Sequence, residues 1–336
     1  MGKRLREIDD IRGIAIIVMI LIHTNAYYPS VRAAYLTLEI SQFAVVAFIF
    51  CSAYLFFRKE PFVSLRHFFS HLFKRVRRLL VPYWLFFAAY TLLVFLKTPG
   101  AIAPSYFIKN LTVTGGVEFN WLVLLFIELT VLMPLIYILY RKHVPLYIVY
   151  IVVAALSSVL FLFYTPLSWF RSIMWLPWSL AVAYAIHMDS IKNNVRIFVI
   201  VTVLFFVLYV ASGYLVLNPL HHPLRMYGNK YPPNMYHLAY SFFAVNILYF
   251  LAHKGVFRPF EKVIHFYSVN SYPIFFIHVL VIYFLTAFVR MQVNWMVFFL
   301  VTIGMTTVIQ ILLNKVTAFL RYKGGRQSGY LREPAG

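Results

Sequence analysis

Two ionisable side chains stand eleven residues apart in the first apolar stretch of the chain. Arg12 lies near its start and His23 near its end. In an α-helix, eleven residues make three turns plus about 20° and rise about 16.5 Å, so both side chains share one face. An imidazole titrates near neutrality and can act as a general base, whereas a guanidinium binds anions. Ionisable groups on one face of a membrane helix predict a polar track leading inward from the membrane surface.

A structural interpretation of the same pair stays open. Arg12 would then anchor the helix to lipid headgroups, and His23 would donate a hydrogen bond between helices.

The composition indicates a membrane protein. The 336 residues are 62% hydrophobic and 12% charged, with a mean hydropathy of +0.79, which excludes a soluble domain. A net charge of +20 would indicate nucleic-acid binding in a soluble chain. The sequence carries no nucleic-acid motif, so we interpret the charge as a sign of membrane topology.

The apolar runs predict an all-α polytopic fold, because each is near the ~20 residues that a bilayer core requires. There are about ten, near 11–28, 40–57, 80–96, 119–140, 144–163, 172–187, 196–217, 234–252, 266–289 and 294–320. The N-terminal tail and every second loop hold 21 of the 30 lysines and arginines, and the other loops hold 7. This asymmetry places both termini in the cytoplasm. We expect one membrane domain over 1–336, with a basic cytoplasmic loop, 58–78, and a basic tail, 321–336.

This topology sets the depth of the candidate residues. Arg12 lies close to the cytoplasmic boundary, and His23 lies beyond the midplane of a core ~30 Å thick, so a reaction at His23 would face outward. Ser52 lies near the cytoplasmic face. Arg75 and Arg78 follow in the basic loop and share a face if the segment is helical. Guanidinium groups suit phosphate recognition, and anchoring to anionic lipid is the alternative.

Two further spans carry ionisable residues. Glu128 is the only acidic residue deep in a span, and as a candidate catalytic residue it would either orient His23 or form an internal ion pair, for example with an arginine. His278 lies mid-span at a depth comparable with that of His23, where it either lines a polar cavity or makes a structural hydrogen bond between helices. No metal site is predicted.

Together these residues form a longer pattern that resembles acyltransferase family 3, the integral-membrane O-acyltransferases. The first helix of that family carries Asp-x-x-Arg-Gly-x-Ala and then a histidine eleven residues after the arginine. This chain has Asp9, Arg12, Gly13, Ala15 and His23 at those places.

The resemblance continues in order along the chain. Similar segments are 48–55 around Ser52, Arg75-x-x-Arg78-Leu79 with Pro82, Trp121 with Pro134, Lys230-Tyr-Pro-Pro, and 271–278 ending at His278. One departure is Ala53, which stands where the family usually has glycine.

The resemblance implies transfer of an acyl group, with acetyl favoured over succinyl, from cytoplasmic acyl-CoA to a hydroxyl of an extracytoplasmic glycan or glycolipid. Acyl-CoA would be a co-substrate, with no other cofactor. Arg12, Arg75, Arg78 and Ser52 would bind acyl-CoA. His23 would be the general base, and an acyl-histidine intermediate is the alternative. Asp9, His278 and Lys230 are candidates for the wall of a polar cavity. We expect a multi-pass protein of a cell membrane, the bacterial cytoplasmic membrane.

Two other function classes fit the same residues. A secondary transporter or flippase for a glycan precursor would also use intramembrane arginine, histidine and glutamate, but transporters often show paired broken helices in related halves, and no matching halves are found. A binding or sensor protein would need neither His23 nor the arginines for turnover.

Overall fold

The computed structural model describes residues 5–58, 65–98, 100 and 103–330. Within these ranges the chain is mainly helical, without a β-strand, as the sequence predicts. The α-helices are α1 (Arg6–Asn25), α2 (Arg32–Ile40), α3 (Ala44–Phe57), α4 (Leu65–Lys97), α5 (Pro104–Leu111), α6 (Asn120–Lys142), α7 (Val144–Tyr164), α8 (Trp175–Trp178), α9 (Leu180–Lys192), α10 (Val195–Leu217), α11 (Met235–His253), α12 (Glu261–Val269), α13 (Ser271–Phe284) and α14 (Trp295–Tyr330).

Eight helical segments among the described residues are long and apolar enough to cross a membrane. They are Arg32–Phe57, Phe68–Lys97, Asn120–Lys142, Val144–Tyr164, Val195–Leu217, Met235–His253, Ser271–Val289 and Trp295–Leu320. The polytopic all-α fold is thereby confirmed. The count of ten stays a prediction.

Two of the ten predicted runs are absent from these eight for physical reasons. The first run is helical as α1, but its N-terminal half carries several charged side chains, among them Asp9 and Arg12. The sixth run, 172–187, is divided into a 3₁₀ turn, α8 and α9, and α9 has only 13 residues. Pro177 lies within α8, where it has no backbone N–H to donate to the preceding turn.

The predicted basic loop 58–78 is helical over much of its length, because α4 begins at Leu65 and continues to Lys97. Arg75 and Arg78 therefore lie on a helix, as their predicted shared face requires. The segment contains no glycine or proline between Leu65 and Val81, so nothing in it interrupts a helix. Residues 59–64 of this loop and 331–336 of the basic tail lie outside the described residues.

Helix α1 occupies the centre of the fold. It packs against α3, α11, α12, α13 and α14, and Ile11, Ile16 and Ile20 on it are completely buried. Such a helix is held from several sides, so the side chains it carries at its two ends have fixed positions. Arg12 and His23 are two of the ionisable residues that α1 places in this way.

Gly13 permits the close approach of α1 to α12. A Cβ at this position would lie 2.3 Å from the carbonyl oxygen of Ile264. We expect Gly13→Ala to destabilise the protein by about 1–3 kcal/mol, since overpacking forces the backbones apart, partly offset by the higher helix propensity of alanine. The unfolding midpoint in detergent measures this change.

Gly304 in α14 offers the matched control. Among the described residues, nothing lies within 4 Å of a Cβ built there, so Gly304→Ala should leave the midpoint unchanged or raise it. Equal midpoints for the two variants would contradict the assigned role of Gly13.

Candidate active site

His23 on α1 and His278 on α13 form a hydrogen-bonded pair. The distance from His23 Nδ1 to His278 Nε2 is 2.7 Å, and the two rings are nearly parallel, 8° apart. On its other side, His278 Nδ1 lies 2.9 Å from the carbonyl oxygen of Ile274, one turn earlier on α13. The sequence places both histidines at a similar depth, and the structure brings them together.

The carbonyl of Ile274 determines how neutral rings share their protons. A carbonyl oxygen only accepts, so His278 Nδ1 must carry the hydrogen and donate it. His278 Nε2 then accepts from the N–H of His23 Nδ1. This network assigns the tautomers, and it leaves His23 Nε2 with a lone pair that no hydrogen bond among the described residues occupies.

His23 lines a cavity of about 680 Å³, a size typical of small-molecule sites. Much of its wall is aromatic, including Phe119, Trp121 and Tyr231. The rings of Phe119 and Phe275 lie 4.9 and 6.2 Å from the His23 ring. The cavity therefore offers ring faces for packing beside an imidazole with a free lone pair.

Lys230 lies on the same cavity wall and is only 4% exposed. Its ammonium donates to Gln42 Oε1 at 3.2 Å and lies over the rings of Trp121 and Tyr231, 5.3 and 5.6 Å from their centroids. Burial lowers the pKa of Lys230 to about 7. Sequence reasoning placed Lys230 in a polar cavity, and the structure places it in the cavity of His23.

Arg12 belongs to a second polar group, toward the other end of α1. Its guanidinium pairs with Asp9 at 3.1 Å and donates to Ser268 Oγ at 2.9 Å, while Ser268 donates to Asp9 at 3.0 Å. Asp9 is therefore a neighbour of Arg12, away from the wall of the His23 cavity. The contact of Ser268, on α12, with this pair could not be predicted from the sequence.

The predicted polar track between Arg12 and His23 is not formed. The side chains one and two turns beyond Arg12 on that face include Ile16, Met19 and Ile20, all apolar and buried in the main core. Neither Arg12 nor Asp9 lines the His23 cavity. The two polar groups are thus separated by packed hydrocarbon.

Arg75 and Ser52 meet between α4 and α3. A guanidinium nitrogen of Arg75 donates to Ser52 Oγ at 2.5 Å, and its Cζ lies 6.0 Å from the centroid of the Phe56 ring. Arg78 is exposed one turn further along α4. The structure therefore brings two of the four predicted acyl-CoA residues, Arg75 and Ser52, into direct contact. Arg78 lies near Arg75 on α4, and Arg12 lies elsewhere, with Asp9 and Ser268.

Glu128 lies in α6, and one of its carboxylate oxygens is buried without a hydrogen-bond partner among the described residues. The Nδ1 of His23, which an orienting carboxylate would engage, already bonds to His278. The orienting role of Glu128 stays a prediction. Among the described residues, no group of three or more histidine, cysteine or acidic side chains could hold a metal ion.

The chain matches the family model described as an acyltransferase domain, Acyl_transf_3, over residues 5–314. The chain belongs to acyltransferase family 3. The matched region includes both histidines, Lys230 and the arginines of the site, so the resemblance stated from the sequence is confirmed. No curated protein and no solved structure gives a significant match.

The site of this family 3 acyltransferase also contains residues that sequence reasoning missed. Arg171 lines the cavity and donates to the Asn120 side chain, and burial lowers its pKa. A lone arginine between aromatic residues in a loop was a weak signal for it. Gln42 is completely buried against Lys230. The sequence holds no signal for this role, because Gln42 and Lys230 are 188 residues apart.

Proposed function

We propose that this membrane acyltransferase transfers an acyl group, acetyl in the first instance, from cytoplasmic acyl-CoA to a hydroxyl of an extracytoplasmic glycan or glycolipid. One observation carries the proposal. The hydrogen bonds between Ile274 and His278 and between His278 and His23 leave His23 Nε2 with a lone pair, and His23 lies on the wall of a cavity of about 680 Å³. That is the requirement for a general base acting on a bound hydroxyl.

The proposed topology has ten spans, with α1 and the divided sixth run included, and both termini in the cytoplasm. The bias of lysine and arginine toward alternate loops supports it. In this topology Arg75 lies at the cytoplasmic side and His23 in the outer half of the bilayer. The protein would be a multi-pass protein of a cell membrane, in our proposal the bacterial cytoplasmic membrane.

The donor would bind at the cytoplasmic end. The guanidinium of Arg75, held by Ser52, is pre-organised for a phosphate of CoA, and Arg78 adds a second charge that is free to move. Arg12 is the third candidate, although Asp9 and Ser268 already engage its guanidinium. The uncharged pantetheine arm would then have to span about 16.5 Å along α1 to bring the thioester to His23, which in this proposal requires the apolar side chains packed between Arg12 and His23 to move apart.

The proposed chemistry is direct acyl transfer. His23 Nε2 accepts the proton of the acceptor hydroxyl while the hydroxyl oxygen attacks the thioester carbonyl. The C–O bond forms, the C–S bond breaks, and the proton passes from His23 to the departing CoA thiolate. The hydrogen bond to His278 holds the His23 ring in place and stabilises its positive charge in the transition state. An acyl-histidine intermediate stays the alternative.

The experiment that tests this function uses the purified protein in liposomes with acyl-CoA labelled in the acyl group. We expect label on a hydroxylated glycan together with release of an equal amount of free CoA, and little CoA release without the glycan. Movement of a glycan across the membrane without any need for acyl-CoA would instead support the transporter. CoA release that no glycan increases would contradict the proposal.

His278 is a positioning residue in this proposal, and its removal has a specific expected result. His278→Gln should lower kcat about 10- to 100-fold, since a hydrogen bond to a charged group contributes about 1.5–3 kcal/mol. The KM for acyl-CoA should not change, because the donor site lies elsewhere. Steady-state kinetics with both substrates varied give the two constants. A fall in kcat accompanied by a rise in KM of similar size would indicate a structural role for His278 only.

A further inference from the structure

The proposed acceptor cavity has a distinct charge pattern. Its wall includes two basic residues, Lys230 and Arg171, and one acidic residue, Glu118. Glu118 is exposed. The ion pairs found among the described residues include neither cation. Placing an ammonium away from water without an opposite charge costs several kcal/mol. Such a residue indicates a partner that arrives with the substrate.

Lys230 and Arg171 are held on one wall by two joined loops. The backbone N–H of Leu167 donates to the carbonyl of Tyr231 at 2.8 Å, and the rings of Phe170 and Tyr231 lie 5.0 Å apart. Each cation is thus the neighbour of a residue in this junction. The two backbone positions that carry the cationic side chains are therefore joined before any ligand binds, which lowers the entropy cost of binding.

The partners of the two cations leave donors for a ligand. The ammonium of Lys230 has three N–H donors, and one of them bonds to Gln42. One guanidinium nitrogen of Arg171 donates to Asn120 Oδ1, and Asn120 Nδ2 donates to the carbonyl of Gly115. Asn120 therefore orients the guanidinium and leaves its other N–H donors for a ligand. An anion in the cavity would accept the remaining hydrogens, and it would favour the charged form of Lys230, whose pKa burial lowers to about 7.

We propose that the acceptor of this acyltransferase is a sugar that carries an anionic group, a carboxylate or a phosphate, bound by Lys230 and Arg171 beside the hydroxyl that His23 activates. This inference rests on the proposed function, because it identifies the outer cavity as the acceptor site. The aromatic part of the wall, including Trp121 and Tyr231, would pack against the sugar ring, and the two cations would select the charged sugar over a neutral one.

Equilibrium binding tests the inference without any turnover. Radiolabelled methyl glucuronide, glucose 6-phosphate and methyl glucoside are each bound to the purified protein in nanodiscs. At least one anionic sugar should bind about 10-fold or more tightly than the neutral one, as charge-assisted hydrogen bonds predict. In Lys230→Met this preference should fall about threefold or more, because Arg171 alone then remains to bind the anion. Lys109→Met, a change at an exposed lysine outside the cavity, should keep it.

The outcomes that overturn the inference differ from those that overturn the proposed function. Failure of both anionic sugars to bind more tightly than the glucoside, or a preference as large in Lys230→Met as in the wild type, overturns the anionic acceptor. The same holds if Lys230→Met changes the choice between succinyl-CoA and acetyl-CoA but not between sugars, because the anion would then be on the acyl group. Absence of acyl-CoA turnover by the wild type with every glycan is instead the failure of the proposed function.

Discussion

His23→Gln should lower acyl transfer about 10²- to 10⁴-fold, the range expected when a general base is removed. Glutamine keeps a polar side chain of similar size but cannot accept a proton at neutral pH. The affinity for acyl-CoA should stay unchanged, because apolar residues such as Ile16 and Met19 separate His23 from the donor site. Transfer of labelled acyl groups gives the rate, and equilibrium binding of acyl-CoA gives the affinity.

The matched control is His143→Gln, at an exposed histidine between α6 and α7 that lies outside the cavity. It should transfer acyl groups at the wild-type rate. A His23→Gln variant that is folded and retains transfer within about threefold of wild type would move the base elsewhere, and His278 would be examined next.

Arg75→Gln should raise the KM for acyl-CoA about 10- to 100-fold, with a smaller effect on kcat. The guanidinium that bonds to Ser52 would otherwise give a phosphate of CoA a charge-assisted hydrogen bond, which contributes about 1.5–3 kcal/mol. Arg75→Lys should recover only part of the affinity, since an ammonium cannot bind a phosphate through two parallel hydrogen bonds. Steady-state kinetics at fixed acceptor and varied acyl-CoA measure both variants.

Lys74→Gln is the control for Arg75, because it removes one charge from an exposed neighbour on the same helix. If Lys74→Gln raised the KM as much as Arg75→Gln, the effect would come from the general positive charge of α4. A lower kcat at unchanged KM in Arg75→Gln would contradict a role in donor binding.

Much of the helical architecture follows from the sequence, because long apolar runs have few alternatives in a bilayer. The shared face of Arg75 and Arg78 was predictable from their spacing along a helix. The division of the sixth run into α8 and α9 was harder to predict. Its composition is apolar throughout, and Pro177 alone did not indicate where the helix is interrupted. Helix α4 extends into the predicted loop because charged residues are compatible with a helix outside the hydrocarbon.

The candidate site was only partly predictable, for a geometric reason. Periodicity shows which side chains share a face of one helix, but it does not show which helix lies opposite. The pairing of His23 with His278, 255 residues away, therefore needed the structure, although both were candidates. The burial of Lys230 against Gln42 depends on how two loops fold, and loop folding has no periodic signal.

The measurement that tests the central claim most directly is a double-mutant cycle on His23 and His278, read as kcat for acyl transfer. The claim is that His278 acts through His23. The double variant His23→Gln with His278→Gln should then be no slower than His23→Gln alone, as expected for residues that act as one unit. If the double variant were slower by the product of the two single losses, the histidines would act independently, and the account of the hydrogen-bonded pair would be wrong.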